Sequence, residues 1–395
     1  MFNLFFLKGG LSVVDGFFCD GVSVGLKPNS ELDVAYIRSD SLCEVEALFT
    51  TNNFQAAPIK HFLNYSKNFK SDFLLINSKN ANALTGKKGV EDIEKIFQSL
   101  SKKLKVTNPI MSSTGVIGYR LDCDKIISSF DKFNFKAKNS NNAAKAIMTT
   151  DTYEKEFAIK VELDDGSFFH VAAIAKGAGM INPAMATMLC FVLTDANIPK
   201  EDMRELLLEA NEDSFNAISV DGDTSTNDTV LLLSNAKSKV YNKTAFKMAL
   251  KQLLKHLAFE ILKDGEGASK VVAFEIKNAK NIDEAKKASK ALSNSLLVKT
   301  ALFGEDPNWG RIASTIGASG VACDEESLII KYDDLLIYSK EFPMLDKTRE
   351  KEAIKIMQKD SFKISCDLGV GKSCYTSYGC DLSYEYIKIN ADYRT

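Results

Sequence analysis

One threonine in this chain stands where its hydroxyl could become a nucleophile. The segment from Lys176 to Asp195 reads KGAGMINPAMATMLCFVLTD. Small residues (Gly177, Ala178, Gly179, then Pro183 to Ala186) lead directly into Thr187. Met188 to Leu193 follows, with the length and Phe/Val content of a buried strand. Thr187 can be read as punctuation between a turn and a strand. It can also be read as a latent N-terminus. If the chain breaks at Ala186–Thr187, the hydroxyl gains its own α-amine as general base. That amine titrates near pH ~8, close enough to neutral to accept the hydroxyl proton. An N-terminal threonine is a known alternative to a Ser-His-Asp arrangement.

Such a nucleophile needs donors for the oxyanion that develops during acyl transfer, each worth about 3 kcal/mol. Ser113-Thr114-Gly115-Val116-Ile117-Gly118 offers a hydroxyl and backbone N–H groups in a tight turn, although a simple strand-exit turn has the same composition. Lys176, eleven residues before Thr187, is a candidate carboxylate partner or merely a solvated strand end. Glu266, in Asp264-Gly265-Glu266-Gly267-Ala268, reads by itself as an acid in a glycine-flanked loop after a long helix. Other catalytic signatures are missing. The chain has no HExxH, no GxSxG and no paired metal-ligand spacing, and Gly177-Ala178-Gly179 lacks the third glycine of a dinucleotide loop. Of the three histidines, His170 falls in a strand and His256 in a helix, where structural roles are expected.

The Lys176–Leu189 segment resembles the cleavage segment of the ornithine acetyltransferase (glutamate N-acetyltransferase) family, Lys-Gly-x-Gly-Met-Ile-x-Pro-x-Met-Ala-Thr-Met-Leu. Only Ala184, where the family more often carries a polar residue, departs from it. The resemblance extends from Phe-Thr-Thr-Asn at 49–52 to Thr395, with the motifs in order. It implies self-cleavage between Ala186 and Thr187, with Thr187 as nucleophile and Thr114 and Gly115 as the oxyanion hole. It implies substrate binding by Thr150 (in Thr149-Thr150-Asp151-Thr152), Lys176, Thr187, Glu266, and the terminal Asn390 and Thr395. It also implies a four-layer α/β/β/α core of the type shared with D-aminopeptidases, with a smaller C-terminal α/β segment. The implied substrates are N-acetylornithine and glutamate, with acetyl-CoA as a possible further donor and no cofactor or metal. The implied assembly is the cleaved α and β chains paired as α2β2. Asp221 to Thr229 and Gly304 to Arg311 also match the family, but carry no assigned role.

Composition sets the bounds. The chain has 395 residues, 45% hydrophobic and 26% charged, which is ordinary for a globular protein long enough for a large core. With 50 basic against 52 acidic residues and no basic stripe with interleaved aromatics, nucleic acid is an unexpected partner. The opening MFNLFFLKGGLSVV is too short to span a bilayer, lacks a basic n-region, and is expected to form a first strand. Eight cysteines without CxxC pairs suggest reduced thiols and a cytoplasmic location.

The elements that must position these residues can be read from periodicity. Strands are expected at Leu32–Ile37, Val45–Phe49 and Phe73–Ile76, and helices at Val90–Leu104 and Asp122–Phe133. A hairpin over Glu156–Ala175 turns at Asp164-Asp165-Gly166. Helices follow after Pro199 and over Asn242–Lys263. The Lys-rich stretch from 277 reads as a linker into a helix, dividing a catalytic core at 1–280 from a C-terminal segment at 281–395. Strands are expected at Leu328–Tyr332, Ser361–Asp367 and Tyr384–Ile389. Two rivals to the transferase remain. One is a self-cleaving aminopeptidase or amidase, in which water intercepts the acyl-enzyme; the other is an uncleaved binding protein.

Overall fold

The computed structural model describes residues 1–182 and 188–392. In chain order its strands are β1 (Phe2–Leu7), β2 (Phe17–Val22), β3 (Val34–Phe49), β4 (Lys70–Asn77), β5 (Ile110–Ser113), β6 (Lys155–Leu163), β7 (Phe168–Lys176), β8 (Leu189–Thr194), β9 (Ile218–Ser219), β10 (Thr229–Ser234), β11 (Val271–Ala279), β12 (Ile329–Tyr332), β13 (Leu335–Tyr338), β14 (Ser361–Asp367) and β15 (Ser373–Cys380). The larger sheet runs β1-β6-β7-β8-β10-β3-β4-β5, with β2 also on β3. The smaller runs β13-β12-β14-β11-β15-β9.

The larger sheet becomes two layers because β3 bends. Leu32–Ile37 and Val45–Phe49 were expected as separate strands, since Arg38-Ser39-Asp40-Ser41 reads as a loop. Instead one strand passes through this polar stretch, and its register against β4 shifts between Arg38 and Cys43. Before the irregularity it pairs with β2 and β4; beyond it, Cys43 and Glu44 stay on β4 while Glu44–Phe49 pairs with β10. An irregularity of this kind bends a strand and strengthens its twist.

The two halves then face each other. Ala35, Ile37, Leu74 and Ile76 from one meet Ala172, Ile174, Phe191 and Leu231 from the other. The short helix α4 (Ser140–Ala146) packs into the same cluster through Ala143 and Ala144, after α1 (Ala57–Leu63), α2 (Gly86–Ser101) and α3 (Cys123–Lys132). Because strand side chains alternate, the neighbouring residues point outward. Val34, Tyr36, Phe73 and Leu75 pack under α2 and α3. Val171, Ala173, Val192 and Val230 pack under α5 (Lys200–Glu212) and α6 (Lys243–Lys263). The core is therefore the four-layer α/β/β/α arrangement that the family resemblance implied, and strands buried on both faces explain its long apolar runs.

The smaller sheet is covered on one face by α7 (Ile282–Asn294), α9 (Trp309–Ala318) and α10 (Lys347–Met357), with α8 (Leu296–Phe303) between the first two in sequence. Helix α6 also packs against β9 and β15. Two expectations fail here. Lys277-Asn278-Ala279 is the end of β11 rather than linker. Lys277 lies on a polar strand face, paired to Glu275 at 3.1 Å, so its charge does not exclude a strand. Asn281 then caps α7 by accepting the Glu284 N–H. The boundary expected near 280 thus follows a strand that pairs with both β14 and β15. Tyr384–Ile389 belongs to a helix, α11 (Tyr384–Asp392), not a strand. Its aromatic and branched residues imitate a strand pattern. The Ser383 hydroxyl nevertheless accepts the Glu385 N–H and donates to the Gly267 carbonyl, starting a helix that buries none of its residues.

Leu254 is fully buried in the cluster under α6. Leu254→Ala should cost about 2–5 kcal/mol. A urea titration should show a lower midpoint with an unchanged slope.

Candidate active site

Several chain segments converge at one end of the central strands. The first is the turn leaving β5. Thr114 N–H donates to the Asn77 carbonyl, and Val116 N–H to that of Lys79, both at 3.0 Å. Gly115 sits at φ 127°, and a Cβ there would lie 2.2 Å from the Lys79 carbonyl carbon, so only glycine fits.

The second segment is the end of β7. Lys176 lies opposite Leu189 in the β7–β8 ladder, two residues after Thr187 in sequence. Its ammonium is buried and donates to Thr149 Oγ1 at 2.7 Å and Thr114 Oγ1 at 3.3 Å. Burial lowers its pKa, the nearby Asp151 carboxylate opposes that, and Lys155 adds to the lowering.

Asp151 holds this charge in place. It accepts Lys155 Nζ at 2.9 Å, the Gly177 N–H at 2.7 Å and the Thr149 N–H at 3.0 Å. Burial alone would raise its carboxyl; Lys176 and Lys155 instead bring it down to about 2. Lys155, also buried, reaches Asp264 at 2.5 Å on its other side. Asp264 in turn accepts the backbone N–H and hydroxyl of Thr152.

The third segment carries Glu266. Its N–H donates to the Ala178 carbonyl at 2.9 Å, and its Oε2 accepts Asn390 Nδ2 of α11 at 2.7 Å. The Glu266 carboxyl occupies the space a side chain at 179 would need, since a Cβ on Gly179 would stand 2.5 Å from it. Gly179 is thus required by packing against the acid, not by a nucleotide.

The fourth segment is Asp221–Thr229. Asp221 accepts the Met180 and Ile181 N–H groups at 2.6 and 2.9 Å, and the Tyr386 hydroxyl at 3.3 Å. Burial raises its carboxyl and these backbone donors oppose the rise. Asn227 Nδ2 donates to the Ala81 and Ser113 carbonyls at 2.7 and 2.8 Å, tying this loop to the β5 turn.

Between them lies a cavity of about 150 Å³. Thr114, Gly115, Thr150, Lys176, Glu266 and Asn390 all line it. Ala186, Thr187 and Thr395 lie outside the described residues. Sequence reasoning left out Thr149, Asp221, Asp223, Thr226, Asn227 and Tyr386, which line the same space. The dense polar run beside an apolar strand at 221–229 was the available signal for four of them, whereas Tyr386 was misplaced on a strand. Among the described residues, no group of three or more His, Cys, Asp or Glu could hold a metal ion. Chemically, the cavity offers a buried cation, carboxylates and hydroxyl donors within reach of one small amino-acid-sized ligand.

The chain matches the ArgJ family over residues 18–395. It is 56% identical over 396 residues to the arginine biosynthesis bifunctional protein ArgJ of Wolinella succinogenes, with all of both chains covered. It is 42% identical to the glutamate N-acetyltransferase of Methanocaldococcus jannaschii, over 98% of this chain and 99% of that one. The crystal structure of arginine biosynthesis bifunctional protein ArgJ from Bacillus halodurans aligns at 37% identity and TM-score 0.48, covering 52% of this chain and 100% of that one. The protein is an enzyme of the acetyltransferase class. It belongs to the ArgJ family.

The Asp151 carboxyl has a consequence for acid stability. Its folded pKa lies below the ordinary 3.8, so the stability it contributes is fully present above pH ~5 and is lost as pH falls from about 4 toward 2. The difference in unfolding free energy between wild type and Asp151→Asn should therefore shrink by about 1 kcal/mol between pH 5 and pH 3 in urea titrations.

Proposed function

We propose that the protein moves the acetyl group of N-acetylornithine to glutamate through an acetyl-Thr187 intermediate, after self-cleavage between Ala186 and Thr187. The observation that carries this reading is the convergence of Lys176, Glu266 and the Thr114-Gly115 turn on one cavity, beside the strand that begins two residues after Thr187. N-acetylornithine presents a carboxylate, an acetamide and an ammonium. Lys176 suits the first and Glu266 the last, through charge-assisted bonds, with Thr150, Asn390 and Thr395 completing the site.

In the first half-reaction, Thr187 Oγ attacks the acetyl carbonyl while the α-amine of Thr187 takes its proton. The Thr114 hydroxyl and the Gly115 N–H receive the oxyanion. Collapse breaks the C–N bond, and the proton leaves with ornithine's amine. In the second half, the glutamate amine attacks the acetyl ester, Thr187 Oγ departs and regains a proton, and N-acetylglutamate is released. Ping-pong kinetics follow from this order. No metal or organic cofactor takes part.

The Wolinella succinogenes relative is called bifunctional, which supports acetyl-CoA as a second acetyl donor. Pairing of the cleaved chains as α2β2 belongs to the same reading. So does a cytoplasmic location, in keeping with eight free thiols. Among the described residues, no helix is long and apolar enough to cross a membrane.

Intact mass of the purified protein should show chains of residues 1–186 and 187–395 that remain associated. Thr187→Ala should remain one chain and lose acetyl exchange, whereas Thr187→Ser should retain part of both. A fully active single chain would falsify the nucleophile assignment.

Glu266→Gln should lower kcat/KM for N-acetylornithine roughly tenfold or more, because a charge-assisted bond contributes ~1.5–3 kcal/mol. The melting temperature should barely change. A large loss of stability with unchanged kinetics would return Glu266 to a structural role.

A further inference from the structure

Asp228 is fully buried at the start of β10, yet it does not line the cavity. Its Oδ1 accepts the Met188 N–H at 3.2 Å. On the other side of the same residue, the Thr229 N–H donates to the Met188 carbonyl at 3.1 Å. Two consecutive residues, Asp228 and the first residue of β10, therefore grip both backbone polar groups of Met188, and Met188 is joined to Thr187 by one peptide bond. The Asp228 main chain is itself fixed, because its carbonyl accepts the Thr50 N–H at 3.0 Å and the Thr50 hydroxyl donates to the Ser225 carbonyl at 2.6 Å.

This is a costly way to satisfy one N–H group. The second carboxyl oxygen, Oδ2, is buried without a hydrogen-bond partner among the described residues. A buried polar atom left unpaired is ordinarily costly. Burial raises the Asp228 pKa well above the ordinary carboxylate range, with the Met188 N–H and then Lys176 opposing. A backbone N–H at a strand entry could be met by a main-chain carbonyl at far lower cost. The retained carboxyl needs a reason, and among the described residues the backbone group it holds is the Met188 N–H, next to the proposed nucleophile.

We propose that Asp228 is a positioning residue for Thr187: by holding the Met188 N–H it fixes the backbone on which the nucleophilic hydroxyl and the new α-amine are carried. The inference rests on the proposed role of Thr187, and it assigns Asp228 to geometry rather than to proton transfer. A nucleophile displaced by an ångström can lose about a hundredfold in rate without losing substrate affinity. The signature is therefore a fall in kcat and in self-cleavage rate with little change in KM.

The test compares wild type, Asp228→Ala and Asp228→Asn. Self-cleavage is followed on denaturing gels, kcat and KM for N-acetylornithine are measured on the cleaved fraction, and the melting temperature is recorded. Asp228→Ala should cleave at least about tenfold more slowly and lose at least about tenfold in kcat, with KM within about twofold. Asp228→Asn keeps an acceptor oxygen of the same shape and should bring both rates back to within about threefold of wild type. The proposal fails if Asp228→Ala cleaves and turns over like wild type, or if Asp228→Asn is as impaired as alanine. If the alanine variant does not fold, the asparagine variant decides alone, recovery supporting the role and loss overturning it. Failure of the underlying reading looks different: wild type would stay uncleaved, or Thr187→Ala would remain active, whatever the Asp228 variants do.

Discussion

Two buried lysines and the carboxylates between them are the constraint on which the cavity depends. Lys155 is neutralised by Asp151 and Asp264, while Lys176 shares Asp151 and turns its ammonium toward Thr114 and Thr149. Removing one partner from a buried ion pair is far more costly than exchanging the whole set for apolar residues. The network therefore has to be complete for the end of β7 to keep its place. Asp151 also takes the Gly177 N–H, so the charge balance and the path of the glycine loop are set by the same side chain.

From that anchor the cavity is assembled by segments remote in sequence. Glu266 follows α6, Asn390 comes from α11, and Asp221 precedes β10, yet each touches the loop between Lys176 and Ile181 or a residue that does. No single element supplies the site. Most of the bonds holding these segments together end on backbone N–H or C=O groups, which fix a loop's path regardless of its side chains.

That division decides what could be read in advance. Thr114, Lys176 and Glu266, which line one cavity, were singled out mainly through the family resemblance; taken alone, their runs read equally well as a strand-exit turn, a solvated strand end and a loop acid. The α/β/β/α order was implied by family resemblance, and the apolar runs at β7, β8 and β10 are compatible with it. Asp221 carried no role in the sequence because its work is to receive two N–H groups from a loop forty residues away. Residues 32–49 looked like two strands because a polar stretch was read as a break, when a bend between layers tolerates the same residues. Tyr384 to Ile389 looked like a strand because alternation outweighed Ser383, whose hydroxyl starts the helix. Local pattern reports side-chain burial well and backbone satisfaction poorly.

The order of the larger sheet has a mechanical consequence for a chain opened between β7 and β8. Downstream of such a break, β8 and β10 lie side by side, clasped between β7 and β3, which both come from upstream. The two pieces are interleaved like the fingers of folded hands rather than pressed together along a surface. Pulling them apart means tearing two full ladders from the middle of a buried sheet, so the route to separation is the unfolding pathway itself. Their union should behave as a property of the fold, indifferent to dilution, and not as a binding equilibrium with a dissociation constant.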